Sequence, residues 1–559
     1  MARRGGLLTN GQLLKPGHGQ LLKPGHGQLL KPGYGPLTTP EDGQGRVLGD
    51  EQAQMLGDEQ CKTPGDGWCK TPEGGRDKTP GDGPPTAFQH GQTARPENRS
   101  ARKRRAGRRP ARALPLTAVA LLLASAVPAQ EGGLQATLDL SETFRLEDNR
   151  DFVTDPGDPS AILRTDITGR IASTTRSTAF ALEAGAALDA GAFGGADGDG
   201  AELERYFGAL SFGRESRDTA LDFSARYTVS DVDPGASTSD LDIQDSVTAA
   251  GERQALNLAA GLEVGRTAGI GAAFGADYRR RIYDGTDDPD LFDIEETGID
   301  ATLFLRPRAD STVRLFARAR RYEAENTAET RRDSSDIGLG LDQALTKTLS
   351  FSGSASYTRI ETRETGVTDT ATGVSATATL TRTDPRGVTR LTASSRVEAT
   401  GQRLSAELGR NFTLKTGALD VSAGISTRDG TDPRPLAALS YAQEFRTSRL
   451  QLDLTQRVTT TAERDELLTS RARLSLRHAL TPVTAVDLTA SFIDVTVISG
   501  DGTARRDLRL GAQLSRDLTA DWRGVLGYEY RLDQRDDLRD RQSNTLFLGL
   551  ERTFTLRRP

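Results

Sequence analysis

Beyond residue 130, apolar and polar side chains alternate with a period of two. Leu221, Phe223, Ala225, Tyr227 and Val229 interleave with Asp222, Ser224, Arg226 and Thr228. Leu349, Phe351, Gly353, Ala355 and Tyr357 interleave with Ser350, Ser352, Ser354, Ser356 and Thr358. Leu508, Leu510, Ala512 and Leu514 do the same with Asp507, Arg509, Gln513 and Ser515. Successive side chains of a strand point to opposite faces, so this spacing predicts strands with one apolar and one polar face. Such segments recur at 134–146, 161–172, 177–188, 202–213, 218–230, 254–265, 268–283, 297–306, 311–323, 335–345, 348–361, 371–382, 387–398, 402–413, 417–427, 435–445, 448–459, 467–479, 483–495, 504–516, 520–533 and 542–556. That makes 22 strands, with about 18 to 24 as the span that boundary error allows. Each is long enough to cross a bilayer at a tilt.

The connections add an independent pattern, because they mostly alternate short and long. Short ones are Thr174–Arg176, Arg214–Arg217, Arg306–Asp310, Asp384–Arg386, Arg446–Thr447 and Thr481–Pro482. Long ones are 147–160, 189–201, 231–253, 284–296, 324–334, 362–370, 428–434 and 534–541, with one breach near Gly401. Outer-membrane barrels have short periplasmic turns and long outer loops. The expected fold class is therefore all-β: a transmembrane antiparallel up-and-down β-barrel with both ends of the sheet in the periplasm.

Composition fits. Hydrophobic residues are 35% and aromatics 5% of the chain, which suits either disorder or a barrel with a wet interior. The periodicity selects the barrel, while the thin aromatic content keeps a secreted β-rich repeat protein as an alternative. The net charge is -6, and residues 130–559 hold no basic run, which gives no footing to a nucleic-acid partner. Cys61 and Cys69 both precede residue 130, and a cysteine-free remainder suits export through an oxidising periplasm.

Ahead of the barrel lie two further regions. Residues 1–98 are low-complexity: GQLLKPGH starts at Gly11 and Gly19 and becomes GQLLKPGY at Gly27, and LGDEQ occurs at 48–52 and 56–60. Gly and Pro break any regular element there, so the segment is disordered or an upstream mis-assigned start. Cys61 and Cys69 occupy equivalent places in one duplicated unit, which reads as duplication and not as a metal site. Residues 99–129 read as a secretory signal peptide. A basic stretch from Arg99 to Arg112 precedes the apolar run Ala113–Ala126, and Val127-Pro128-Ala129 offers the small residues of a cleavage site. The run is short of the roughly 20 residues of a membrane span. Cleavage at Ala129 leaves little chain before the first strand, so an N-terminal plug domain is not expected.

The closing strand, Asn544 to Leu556, puts Leu546, Leu548, Leu550 and Phe554 on one face. Here the chain resembles bacterial outer-membrane β-barrel proteins, whose last strand alternates apolar residues and ends in an aromatic that the barrel-assembly machinery reads. Phe554 is not terminal, and Arg557-Arg558-Pro559 ends the tail. Within that group, Leu138-Asp139-Leu140-Ser141-Glu142-Thr143-Phe144 followed by Glu147-Asp148-Asn149 resembles the β-barrel porins of alphaproteobacteria, some linked to exopolysaccharide systems. The resemblance implies outer-membrane lipid and the assembly machinery as partners.

Catalytic chemistry is not expected. His18, His26 and His90 lie in the leader, which leaves His478 alone in the barrel at a predicted periplasmic strand end. A barrel serine hydrolase needs a His beside a Ser, and no phosphate loop, cofactor motif or metal-spaced cluster occurs. The acidic run Asp284–Asp290 reads as a solvated loop, with a divalent-cation site as the sharper alternative. Chemistry is left to the lumen. Parity turns Arg314, Arg318 and Arg320 inward on one strand, and Arg457, Arg471, Arg473 and Arg477 on a neighbouring pair. Charged rings in a pore set ion preference, so these seven are a candidate basic ladder for anionic solutes or an acidic polysaccharide. The competing expectation is that they pair with inward acids such as Asp222, Asp300, Asp453 and Glu529 to pack a wet interior. The functional expectations are thus a porin-like channel or export duct, or else a structural or adhesive barrel with a blocked lumen.

Overall fold

The computed structural model describes residues 133–150, 152–193, 201–232, 251–286, 291–461, 464–500, 504–536 and 538–557. Residues 1–132, which include the expected leader and signal sequence, and most of the 231–253 loop lie outside the described residues. In chain order the strands are β1 (Leu134–Glu147), β2 (Ser160–Thr174), β3 (Thr178–Phe193), β4 (Ala201–Glu215), β5 (Thr219–Asp231), β6 (Glu252–Val264), β7 (Ile270–Asp284), β8 (Ile294–Arg308), β9 (Ser311–Ala324), β10 (Arg331–Ala344) and β11 (Leu349–Glu364). They continue as β12 (Val367–Asp384), β13 (Gly387–Glu398), β14 (Gly401–Leu414), β15 (Gly417–Arg428), β16 (Arg434–Glu444), β17 (Ser448–Thr460), β18 (Glu466–Thr481), β19 (Thr484–Ser499), β20 (Arg505–Asp517), β21 (Trp522–Arg535) and β22 (Leu538–Arg557).

Every strand pairs antiparallel with its sequence neighbours, and β22 returns to pair with β1 from Gln135↔Arg557 to Glu147↔Thr545. The sheet is closed, so no edge is left with unpaired backbone groups, as lipid demands. The 22 strands form a transmembrane antiparallel up-and-down barrel.

Burial is inverted relative to a soluble protein. Leu138, Leu221, Phe274, Ile337, Leu339, Leu408, Leu488 and Leu548 lie exposed on the outer face. Thr358, Thr392, Glu466, Thr469 and Asp533 are among the most buried. Aromatics on the outer face divide by height. Tyr206, Tyr227, Tyr278, Tyr357, Tyr528 and Tyr530 sit toward the loop rim, and Phe180, Phe212, Phe223, Phe412, Trp522 and Phe554 toward the turn rim. The scarce aromatics are thus placed as two interfacial girdles.

Turns at the short-connection rim repeat one device. Thr175, Ser216, Thr346 and Thr519 each accept the backbone N–H two and three residues on, at 3.0 to 3.4 Å. These hydroxyl turns fix a tight reversal without glycine.

Two long connections differ from expectation. The loops expected at 362–370 and 534–541 are taken up by extended hairpins, leaving Thr365-Gly366 and residues 536–537 between strands, while the short connection expected near Gly401 is Ala399-Thr400, which joins β13 to β14. Thr365 and Gly366 carry φ of 43° and 82°, which makes the two-residue reversal feasible. Beyond the bilayer, ladder hydrogen bonds still reward pairing of polar residues, so alternation weakens while the strand continues.

Large inward side chains lie flat on the wall. Seven of them rest on a glycine directly opposite on the next strand: Phe207 on Gly185, Asp222 on Gly261, Asp300 on Gly275, Asp277 on Gly298, Phe316 on Gly338, Arg314 on Gly340 and Phe547 on Gly527. A barrel this wide offers no facing wall to pack on, so the side chain buries itself against backbone that has no Cβ.

Candidate lumen site

The seven ladder arginines occupy inward positions on β9, β17 and β18, about eight strands apart around the wall. Arg314 Nε lies 2.8 Å from Asp342, whose carboxylate also accepts Ser352 Oγ at 2.6 Å. Arg320 Nη1 lies 3.2 Å from Glu296, with Asp277 at 3.9 Å. Arg477 Nη1 lies 3.5 Å from Asp487. Arg318 stacks over Phe316, its guanidinium carbon 5.0 Å from the ring centroid. Among the described residues Arg318, Arg457 and Arg473 have no carboxylate within 4.0 Å. Arg471 also has interactions and stands between these groups.

Arg314, Arg320 and Arg477 thus do pair with inward acids, but these are not the four expected by name. Asp222 and Asp300 lie over their glycines, and Asp453 accepts Ser440 Oγ at 2.6 Å and Gln451 Nε2 at 3.0 Å. Asp453 is directly opposite Arg473, yet each of its oxygens accepts from one of these neutral donors and the guanidinium lies beyond 4.0 Å. Glu529 makes no ion pair among the described residues. Parity told which side chains share the lumen, but register and rotamer chose the partners.

Two clusters near the loop rim were not anticipated. In the first, β20 carries Arg505, Asp507 and Arg509, and β21 carries Arg531, Asp533 and Arg535. Register sets like opposite like: Arg505↔Arg535, Asp507↔Asp533 and Arg509↔Arg531. Direct pairs would repel, so the ion pairs run diagonally, Arg505 to Asp533 at 3.0 Å and Arg531 to Asp507 at 3.8 Å, and along the strands, Arg509 to Asp507 at 3.2 Å and Arg535 to Asp533 at 3.3 Å. Arg541 of β22 adds a short contact to Asp533. The β1–β2 loop folds inward onto this cluster. Phe152, fully buried and with φ of 49°, has its ring centroid 3.9 Å from the Arg531 guanidinium and 5.4 Å from that of Arg541. Asn149 pins the loop, donating to Val153 O at 2.7 Å and Gln542 O at 2.8 Å. The repeated R-x-D-x-R spacing is a sequence signal that could have found the cluster; the inward loop has none.

In the second cluster Glu466, 2% exposed, takes Arg428 at 3.3 Å and a shorter contact from Arg403, which also binds Glu398 at 2.9 Å. Arg464 of the β17–β18 connection reaches Asp369 at 2.9 Å and Glu364 at 3.4 Å on the β11–β12 hairpin. The connection thus ties across the short staves β13 to β16.

His478 sits on the outer face of β18, and Ser448 Oγ lies 2.7 Å from its Nδ1. Ser448 is its directly opposite cross-strand partner. No carboxylate of the described residues orients the ring.

No protein-family model matches the chain, and no curated protein matches it in sequence. Among solved structures it is similar to the FrpB iron transporter of Neisseria meningitidis (F5-1 variant), at 9% identity over 76% of this chain and 83% of that one, with a TM-score of 0.49. It is similar to the ferric-catecholate import receptor Fiu of E. coli K12 at 10% identity over 76% and 82%, TM-score 0.49. BauA, the ferric preacinetobactin receptor of Acinetobacter baumannii, gives 11% over 76% and 80%, TM-score 0.46. Identities this low leave function to the chain's own residues.

Proposed function

We propose that this chain is an outer-membrane channel, porin-like or the duct of a (poly)saccharide export system, whose wall favours anionic solutes. The observation that carries the reading is the set Arg318, Arg457 and Arg473, inward cations without a carboxylate within 4.0 Å among the described residues. Guanidinium charge of this kind attracts anions and holds off cations in a confined aqueous path. The signal sequence at 99–129 delivers the chain to the periplasm with cleavage near Ala129, and the barrel-assembly machinery inserts residues 130–559. Residues 1–98 have no role in the exported form. Short turns then face the periplasm and the Phe152 and Arg464 closures face outward.

The test is single-channel recording of refolded protein in planar bilayers under a salt gradient. The expected reversal potential is anion-selective, and the triple variant R318Q/R457Q/R473Q moves it toward zero. A membrane that stays silent overturns the channel. The second reading, a structural or adhesive barrel with a blocked lumen, is favoured by one observation: the β1–β2 loop folds inward with Phe152 buried against the wall.

A further inference from the structure

The outer wall between β7 and β11 is not smooth. Register lines up Ala301, Ala317, Ile337 and Tyr357 in one row across four strands. The two alanines form the floor of a trough of ≈ 630 Å³, walled by Phe274 on one side and by Ile337 and Tyr357 on the other. These walls are 53%, 71% and 59% exposed, so the protein itself leaves the trough uncovered.

Directly above it the same outward positions become charged. Arg359 follows Tyr357 on the outer face of β11, and Glu361 and Arg363 follow Arg359. Glu361 accepts Arg359 at 3.0 Å and also Arg363, while Asp333 accepts Arg321 at 2.7 Å and Arg331 at 3.2 Å. Glu323 takes Arg331 at 3.3 Å. Four guanidiniums therefore share three carboxylates, and Arg321, Arg359 and Arg363 keep over half their side-chain surface exposed, at 53%, 57% and 53%. Depth matters here. Leu349 to Tyr357 spans ~26 Å along the strand at ~3.3 Å per residue, or ~19 Å of height at a ~45° tilt. An apolar band is ordinarily ~25 Å tall, so the arginines lie at headgroup depth and not in open water.

We propose that the trough seats one acyl chain of a lipid whose phosphorylated headgroup is bound by Arg359 and Arg363. The groove is apolar where acyl chains are the solvent, and the surplus positive charge stands where a lipid phosphate resides. Guanidinium pairs bind phosphate by charge-assisted, fork-shaped hydrogen bonds. The site depends on the barrel crossing a bilayer and is independent of what passes through the lumen.

Native mass spectrometry of the full refolded barrel tests it, with three lipids added in turn: a bisphosphorylated glycolipid, its dephosphorylated form, and phosphatidylcholine. One phosphorylated glycolipid should be retained about tenfold more than either control, the ratio that one extra charge-assisted bond supplies. Two variants on the outer face, A301L/A317L to fill the trough and R359Q/R363Q to discharge the belt, should each abolish the preference. Heat-modifiable gel migration checks that both remain folded. Equal retention of all three lipids, or a preference that survives both variants, overturns the proposal. So does release of a lipid-free dimer, which would mean that a second copy covers the groove.

Discussion

Phe547 lies flat on the inner wall because Gly527 opposite it has no side chain, and this arrangement makes a prediction whose sign can be checked. A Cβ at position 527 would come within 2.7 Å of Phe547 Cε2 and 2.8 Å of Cε1, and the three heavy atoms nearest to it all belong to that ring. In Gly527→Ala the ring must leave its rotamer and stand into the lumen, an overpacking that costs about 1–3 kcal/mol. Elsewhere in a strand the same substitution helps, since glycine is destabilising by about 0.5–1 kcal/mol relative to alanine. A double-mutant cycle separates the two effects. Gly527→Ala should destabilise the wild type by about 1–3 kcal/mol but be neutral or stabilising in a Phe547→Ala background, which gives a coupling of at least about 1 kcal/mol. Urea unfolding of refolded protein in lipid vesicles, followed by Trp522 fluorescence, supplies the four values. If Gly527→Ala has the same effect in both backgrounds, the ring does not rest on the glycine and the wall-packing argument fails.

Removing the inward loop's anchor should open the outer mouth: Phe152→Ala is expected to raise single-channel conductance, and an unchanged value would show that the β1–β2 loop does not narrow the path. At the turn rim, Asp218 accepts the Thr267 N–H and Oγ1, both at 3.0 Å, and these bonds hold its carboxyl below the ordinary value. A lowered folded pKa stabilises above the unfolded value, and the contribution is lost as pH falls through the folded one. The Thr267 amide resonance should therefore titrate with a midpoint below the free value of about 3.9, and Asp218→Asn should erase the transition. A midpoint at or above the free value would disprove the clamp. The Ser448–His478 pair lacks a third group, so His478→Ala should change stability by less than about 0.5 kcal/mol and abolish no ester hydrolysis; a lost hydrolytic activity would reverse that reading.

The strand number and the two faces were legible from residue order alone. A period of two is a property of the extended backbone, so Leu221 to Val229 declare an outer face whatever their partners are. Inward placement of Arg314, Arg318, Arg320, Arg457, Arg471, Arg473 and Arg477 follows from the same parity. The aromatic girdles were harder to see, because thin content is concealed when 22 strands share it around the circumference. What parity cannot give is the neighbour across the strand. Register, set by turn length, put Asp342 diagonally within reach of Arg314, brought two R-x-D-x-R segments together with like opposite like, and set Phe547 on Gly527, while side-chain rotamer kept Asp453 from pairing with the Arg473 opposite it. The inward course of the β1–β2 loop depended on still longer-range chemistry, a ring 3.9 Å from a guanidinium 379 positions along the chain from it. A sequence thus determines which face each residue takes through a local backbone geometry. Only the closed sheet decides what each inward charge meets, because that depends on register summed around the whole barrel.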